Sequence, residues 1–333
     1  MVKPTFADYV KLLYTLFDEF VQAQTSDAHR GHPFVYQHKD LIVFFVIMQC
    51  KRIFKFKTQR RWLETHPDEH QAIGLKSLPV RTTLSRRYKA LYCIVQSFVA
   101  FLGQHQADLA SAFRSDDLYT DKSLFKAQGP VWHQSDRAAG HIPDGLRHLD
   151  TDATWSKSAY HGWVYGYGLH FTCNPQGFPM LAKIETASVS ESQALADQET
   201  QIIKEFAPQT VSADNSYAKA TRIRQWAAQG VVLLTPAAKW IKGRFAEAYH
   251  RFIHEPPNAE LLAARRIAIE PMFDLIAKVI GADGLQKPLP IQHLTNVRTC
   301  LVLGVLTVQL AMIVNSLYGL PLHDISHILS VFT

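Results

Sequence analysis

The chain has 333 residues, of which 47% are hydrophobic and 19% charged, with 16 Gly and 16 Pro. This composition excludes a disordered chain, a collagen-like fibre and a coiled coil, and it provides for a large packed core, which at this length suggests about two domains. The 35 basic and 29 acidic residues give a formal net charge of +6. Such an excess favours partners that carry phosphate groups wherever the basic residues are clustered.

The cysteines and the N-terminal residues predict a cytoplasmic protein. The four cysteines are far apart and form no Cys-x-x-Cys pair, which argues against a disulfide framework or a zinc site and fits a reducing compartment. The first ten residues lack the apolar stretch of a signal peptide. Residues 300–317 imitate a membrane span, but they include Gln309, Asn315 and Ser316 and follow Arg298. We therefore expect a buried core helix there and no membrane partner.

The first third of the chain has apolar residues at helical spacing. They recur from Tyr9 to Phe20 and again from Leu41 to Met48 on the i, i+3, i+4 pattern of an amphipathic helix. This pattern predicts an all-helical domain over residues 1–114. Basic residues are concentrated in two of its segments, residues 51–61 and 76–89.

The second basic segment is typical of a helix that enters the major groove of DNA. Pro79 lies near its start, Thr82 and Thr83 are candidate N-caps, and Leu84 begins its apolar spacing. Hydroxyl and guanidinium groups at the N-terminal end of such a helix reach base edges and phosphates. The candidate DNA-binding residues are Arg81, Thr82, Thr83, Ser85, Arg86 and Arg87. An ordinary solvated basic helix explains the pattern equally well.

After about residue 115 the apolar period changes toward two, which is typical of strands. The predicted strands are residues 118–126, 162–172, 178–186, 209–213 and 231–236. A turn sequence at residues 173–177 predicts a hairpin between the second and third strands. Predicted helices at 190–206 and 218–228 separate the later strands, so we expect an α/β domain over residues 115–333, in which a mixed sheet is flanked by helices. The final apolar helix, residues 297–318, should pack back on this sheet.

Carboxylates at strand ends are the main chemical signal. Asp121 interrupts one apolar strand and Asp214 ends another, positions at which an unpaired carboxylate is costly to desolvate. Each acid also has an ordinary explanation, because Asp214 could cap the next helix and Glu270 could form a salt bridge with Arg266 one turn earlier. Judged on the residues alone, the three acids need not meet.

Three segments, taken together, resemble the DDE transposases of bacterial insertion sequences. They are residues 121–170, the Ser-Ala-Asp-Asn-Ser-Tyr string around Asp214, and the Arg-Arg-Ile-Ala-Ile-Glu string around Glu270. Members of that family have a first acid in a strand, then a strand ending in Leu-His, an acid followed by Tyr, and a Glu four residues after an Arg. The resemblance covers roughly residues 118 to 280 and implies an RNase H-like core.

The resemblance implies that Asp121, Asp214 and Glu270 are the catalytic residues and hold Mg²⁺ or Mn²⁺, with Arg266 as the family's arginine. The family's Tyr and Lys around this Glu are replaced by Ala263 and Ala277. Arg266 and Lys278, which lies next to the lysine position, are candidate DNA contacts. The basic loop after the last predicted strand contains further candidate phosphate contacts, Lys239, Lys242 and Arg244. A solvated surface explains that loop as well.

Asp150 and Asp152 compete with Asp121 for the role of first acid. Leu149-Asp150-Thr151 resembles the family's strand motif nearly as well as Asp121-Lys122-Ser123 does. We prefer Asp121, because it lies far enough before the strand ending at His170 to belong to a separate first strand.

The implied function is that of a transposase that cleaves the ends of an insertion sequence and joins the 3′-OH ends to target DNA by two-metal-ion phosphoryl transfer. Its partners would be double-stranded DNA, as terminal inverted repeats and as target, and a second copy of the chain, since two ends must be joined. It would reside in the bacterial cytoplasm, with the nucleoid when bound to DNA. The alternative is a catalytically inactive DNA-binding protein, derived from a transposase and acting as a repressor. A nuclease of the same core that hydrolyses without joining is a further possibility.

Overall fold

The computed structural model describes residues 3–24, 35–158, 162–283 and 287–332. The N-terminal part is helical, as predicted. Its helices are α1 (Phe6–Ala23), α2 (His38–Cys50), α3 (Phe56–Thr65), α4 (Pro67–Ala72), α5 (Arg81–Ala90), α6 (Tyr92–Gln104) and α7 (Gln106–Leu109).

The remainder combines strands and helices. The strands are β1 (Asp117–Lys126), β2 (Thr154–Ser158), β3 (Gly162–Cys173), β4 (Pro179–Thr186), β5 (Thr210–Ser212) and β6 (Val232–Leu234). The helices are α8 (Gln134–Ala138), α9 (Glu191–Gln201), α10 (Ala220–Ala227), α11 (Arg244–Ile253), α12 (Pro256–Ile280), α13 (Leu294–Tyr318) and α14 (Ser326–Phe332). A turn of π-helix, Ile202–Phe206, continues α9, and short 3-10 helices lie at Ser111–Phe113 and Asn215–Tyr217.

The six strands form one mixed sheet in the RNase H-like order. The central strand β1 is antiparallel to β3 on one side and parallel to β5 on the other, and β5 is parallel to β6. Gly166 of β3 pairs with Lys126 of β1 on one side and with Thr154 of β2 on the other, so β2 lies along the side of β3 away from β1. Farther along that same side, β3 pairs with β4. Because β1 and β5 are parallel and Ser212, the last residue of β5, pairs with Tyr119, the C-terminal end of β5 lies beside the first half of β1.

Helix α13 joins the helical part to the sheet. It is buried over most of its length and contacts α12, α6, α2 and β4. The side chain of Gln309 donates to the carbonyl of Val99 in α6 at 3.1 Å and to that of Pro179 in β4 at 2.8 Å. Thr299 donates to the carbonyl of Tyr88 in α5 at 2.9 Å. By length and composition α13 could span a membrane, yet 89% of its apolar window is buried inside the fold, as predicted for a core helix.

The structure differs from the predicted helices and strands in the strand ends, in one additional strand and in the N-cap of α5. The five predicted strands are present with shifted ends, but β2 was not predicted, because Thr-Trp-Ser-Lys-Ser has no run of apolar residues. Val80, not Thr82 or Thr83, is the N-cap of α5, and it makes no side-chain cap hydrogen bond. The domain boundary at residues 114 and 115 remains a prediction, although α6 packs directly on β4.

Candidate active site

Strands β1 and β5 bring Asp121 and Asp214 close together at the point where β5 ends. The parallel register pairs Tyr119 with Ser212, so the two aspartates occupy equivalent positions two residues farther along. The pKa of Asp121 is raised on balance, and burial is the largest cause. The charge of Arg265 lowers this pKa, and the nearby charge of Asp214 raises it. The last effect requires the two carboxylates to lie near each other.

The charge of Asp121 is compensated by Arg265 of α12. The Arg265 guanidinium forms an ion pair with Oδ2 of Asp121, and the two side chains are 7% and 20% exposed. The backbone N–H of Lys122 donates to Oδ1 of the same aspartate at 2.8 Å. A charge this deeply buried is stable only when it is paired in this way, so Arg265 stabilises the ionised form of Asp121.

Asp214 is half-buried and begins the short helix that follows β5. Its side chain accepts a hydrogen bond from the backbone N–H of Asn215, which is the capping role that the sequence left open. The helix ends at Tyr217, which is 1% exposed. Its hydroxyl has no hydrogen-bond partner within the described residues.

Glu270 lies on the exposed face of α12 and pairs with Arg266. The distance from Nε of Arg266 to Oε1 of Glu270 is 3.1 Å, and the two side chains are 57% and 60% exposed. This is the i, i+4 salt bridge that the sequence left open. Glu270 follows Arg265 by five residues, which places it about 140° farther around the helix. The side chain of Ile267 is 79% exposed on the same outer side.

Of the acidic, histidine and cysteine side chains that the structure describes, one group of three has its ligand atoms within 4.8 Å of one another. That group consists of Asp150, Asp152 and His293. Asp121, Asp214 and Glu270 therefore do not converge to this distance, contrary to the arrangement expected from the sequence. Only the pair Asp121 and Asp214 is brought together.

Asp150 and Asp152 hold the first turn of α13. Oδ2 of buried Asp150 accepts from the Tyr167 hydroxyl at 2.8 Å and from the backbone N–H of His293 at 3.1 Å. Oδ2 of Asp152 accepts from the backbone N–H of Leu294 at 2.9 Å. Unpaired N–H groups at a helix start are satisfied in this way. The group has the ligands for a metal ion, and its contacts also give both aspartates a structural role.

A basic groove lies between α3 and α5. Its volume is about 790 Å³, and it is lined by Lys55, Phe56, Lys57, Arg81, Thr82, Ser85, Arg86, Lys89 and Ala90. Five of these nine residues are basic and none is acidic. The sequence indicated both basic segments but did not show that Lys55 and Lys57 face α5, because their positions depend on how the helices pack.

Four of the six residues predicted for DNA contact in α5 line this groove, and two do not. Thr83 is half-buried beside it. Arg87 is buried in the helical part, where its guanidinium donates to the carbonyl of Tyr36 at 3.2 Å. Arg87 is therefore turned away from the groove.

The other predicted DNA contacts are exposed. Lys239 and Lys242 lie in the loop between β6 and α11, and Arg244 is the first residue of α11. Trp240 in this loop donates to the carbonyl of Ala218 at 2.8 Å, which holds the loop next to the turn that follows Asp214. Lys278 is exposed in the last turn of α12, and Arg266 pairs with Glu270.

The family model described as "Transposase DDE domain" matches residues 117–283, half of the chain, from β1 to the end of α12. No curated protein matches the sequence. Among solved structures, the chain is similar to a chain of the "Crystal structure of the Mos1 Strand Transfer Complex", at 10% identity over 80% of this chain and 98% of that one, with a TM-score of 0.20. A TM-score this low has no bearing on function.

Proposed function

Because the chain belongs to the family of transposases with a DDE domain, we propose that it cleaves the ends of an insertion sequence and joins the resulting 3′-OH ends to target DNA. The observation that supports this most directly is the adjacency of Asp121, within β1, and Asp214, just after the end of the parallel strand β5. Brought to one edge of the sheet, two carboxylates form the start of a site for divalent cations.

The donor atoms at this edge fit Mg²⁺ or Mn²⁺. Carboxylate oxygens are hard ligands of the kind that Mg²⁺ prefers, and two aspartates leave positions open for water and phosphate oxygens. The unpartnered Tyr217 hydroxyl shows that the polar groups there are not all satisfied by the described residues. When bound, a pair of such ions activates water and neutralises the leaving 3′ oxygen of a phosphodiester. Asp121 and Asp214 would hold them, with Glu270 as the third acid once it leaves Arg266.

The proposal also gives roles to basic side chains of this chain. Arg265 favours the ionised form of Asp121, because its charge compensates the carboxylate in a buried setting. The basic loop with Lys239, Lys242 and Arg244 lies beside the turn after Asp214 and would position phosphates of the cleaved strand. The groove between α3 and α5 would bind the terminal repeat. Two element ends require two such sites, so a homodimer on DNA is part of the proposal.

The cleavage test uses labelled duplex DNA with the inverted repeat that flanks the reading frame. Wild-type protein with Mg²⁺ should give a nicked end and a strand-transfer product. Asp214→Asn should give neither product while still binding the duplex. Asp116→Asn changes an exposed acid beyond the opposite end of β1 and is the matched control.

Other outcomes of this cleavage test would identify one of the competing functions or refute the site. Cleavage by Asp214→Asn would refute the site. Nicking without any joined product would identify a nuclease, and binding without nicking by the wild-type protein would identify an inactive, repressor-like protein.

The groove is tested by the salt dependence of DNA binding. Replacing Arg81 and Arg86 by Ala removes two cations, which should weaken binding and reduce the slope of log K against log salt by about 2. Lys204→Ala, which removes an exposed cation far from the groove, should leave the slope unchanged. An unaltered slope in the double variant would show that DNA binds elsewhere.

A further inference from the structure

The loop between β6 and α11 presents a tryptophan ring to solvent. Trp240 is 57% exposed, although the residues beside it turn inward: Ala238 is buried, and Ile241 is half-buried against the core. Exposure alone does not identify a binding site, because single apolar side chains are common on protein surfaces. The case for Trp240 depends on how its ring is held, where it lies and which charges surround it.

The indole ring of Trp240 is fixed by a hydrogen bond to the backbone. Its Nε1 donates to the carbonyl of Ala218 at 2.8 Å, and the loop itself is closed by the backbone N–H of Ile241, which donates to the carbonyl of Ala238 at 3.0 Å. The indole N–H is the one polar group of the ring, so a ligand must bind to its flat apolar face. A ring already held in place loses little conformational freedom when a flat ligand stacks on it.

The hydrogen bond to Ala218 places this ring close to Asp214. The short helix that begins after Asp214 ends at Tyr217, and the backbone N–H of Ala218 donates to the carbonyl of Asn215 at 3.0 Å. Because a 3-10 helix rises about 2 Å per residue, Ala218 lies roughly 8 Å from Asp214. One DNA strand advances about 3.4 Å per nucleotide, so a base stacked on the ring belongs to one of roughly three nucleotides nearest to a phosphate beside Asp214.

The charges around the ring indicate the chemistry of its ligand. Residues 235–245 contain three basic side chains and no acidic one. The three, Lys239, Lys242 and Arg244, are all exposed. Clustered cations attract a polyanion. A nucleic-acid strand has both the phosphates that these cations bind and the flat bases that stack on an aromatic ring.

We propose that Trp240 stacks on an unpaired nucleobase of the element end, within about three nucleotides of the cleaved phosphate. This inference rests on the proposed function, since it names the part of the DNA that the basic loop contacts. The three cations bind the backbone of the strand, whereas the ring binds one base. Together these contacts fix the position of the strand along the site.

The test measures DNA binding by the full-length protein without a divalent cation, so that no DNA is cut. The probes are duplexes that span the element terminus, intact or lacking one base among the nearest three nucleotides on either side, in one strand or the other. Trp240→Ala should weaken binding of the intact duplex about tenfold or more, and Trp240→Phe should lose less. Removing the stacked base should weaken binding by wild type by a similar factor and leave binding by Trp240→Ala unchanged. Far-ultraviolet circular dichroism checks that the variants are folded.

Trp163→Ala is the matched control. Trp163 is 62% exposed but lies eight residues before Phe171, the partner of Asp121, and is therefore about 27 Å away along β3. This variant should bind every duplex like wild type.

The other outcomes separate this inference from the proposed function. If Trp240→Ala binds the intact duplex normally, or loses the same factor on every duplex that lacks a base, the role of the ring is refuted. Cleavage by wild type and its loss in Asp214→Asn would then leave the proposed function standing. If Trp240→Ala converts a dimer into a monomer without a base-dependent loss, the ring binds a second copy of the chain and the inference is wrong. If wild type binds none of the duplexes, both the inference and the proposed function fail.

Discussion

His170 should make the stability of the protein fall in mild acid. It lies in β3, 2% exposed, opposite Lys122 of β1 on one side and Lys183 of β4 on the other. Neither ring nitrogen has a hydrogen-bond partner among the described residues. Burial, followed by the charges of Lys122 and Lys183, lowers the pKa of His170 to about 3. The folded protein therefore keeps this histidine neutral where the unfolded chain protonates it.

The sign and size of the effect follow from linkage. The unfolded chain takes up the proton near pH 6.5, whereas the folded chain takes it up only near pH 3. The stability that neutral His170 contributes is thus complete above pH 6.5 and is lost as the pH falls from there toward 3. The loss is about 2 kcal/mol at about pH 5, and its limit is about 5 kcal/mol below both pKa values.

The assay is urea unfolding at about pH 7.5 and at about pH 5, compared between wild type and His170→Phe. Phe fills the site without a titrating group, so the variant should lose about 2 kcal/mol less than wild type over this interval. His141→Gln, a change at an exposed histidine, should behave like wild type. Equal losses in wild type and His170→Phe would refute the reasoning.

Three further predictions concern buried positions in and around the sheet. Arg265→Met should cost about 3 to 5 kcal/mol by leaving Asp121 buried without a partner, and adding Asp121→Asn should recover most of the loss in urea unfolding; no recovery would contradict the pairing. Gly166→Ala should lower Tm, at a cost of about 2 kcal/mol or more, because its Cβ would overlap the Phe125 carbonyl oxygen; an unchanged Tm would mean that the strands can separate freely. Asn174→Ala removes four side-chain hydrogen bonds, three of them buried, and should cost about 3 kcal/mol by urea unfolding, and a loss below about 1 kcal/mol would show that water replaces them.

The sheet could be predicted from sequence because most of its strands are buried and strongly apolar. Residues 162–173 form one long strand whose inner positions are nearly all buried, and a Pro and a Gly mark the hairpin to β4. Strand β2 carries half-exposed polar side chains at an edge, where pairing with β3 rather than its own composition makes it a strand. Such strands depend on a neighbour that a single segment does not reveal.

The site was predictable in part for a similar reason. Asp121 lies within β1 and Asp214 follows the end of β5, which pairs with β1, so their meeting follows from topology. The neighbours Arg265 and Arg266 point about 100° apart on α12, and the apolar residues around them did not determine which one faces the sheet. The position of the first turn of α9 depends on Arg222 of α10, whose guanidinium donates to the Ser192 hydroxyl, and a contact between residues 30 apart leaves no trace in local spacing.

On the proposed function, helix α13 also has a consequence for the length of DNA between the bound repeat and the cleavage site. Through Gln309 and Thr299 it bonds to β4 and to both α5 and α6, so the groove and the Asp121 edge belong to one rigid scaffold. For a protein that binds a terminal repeat in that groove, this scaffold would fix the number of base pairs between the bound sequence and the cleavage site. An element end with a few base pairs inserted between the gripped sequence and its terminus would present the wrong phosphate, rotated around the double helix and out of reach.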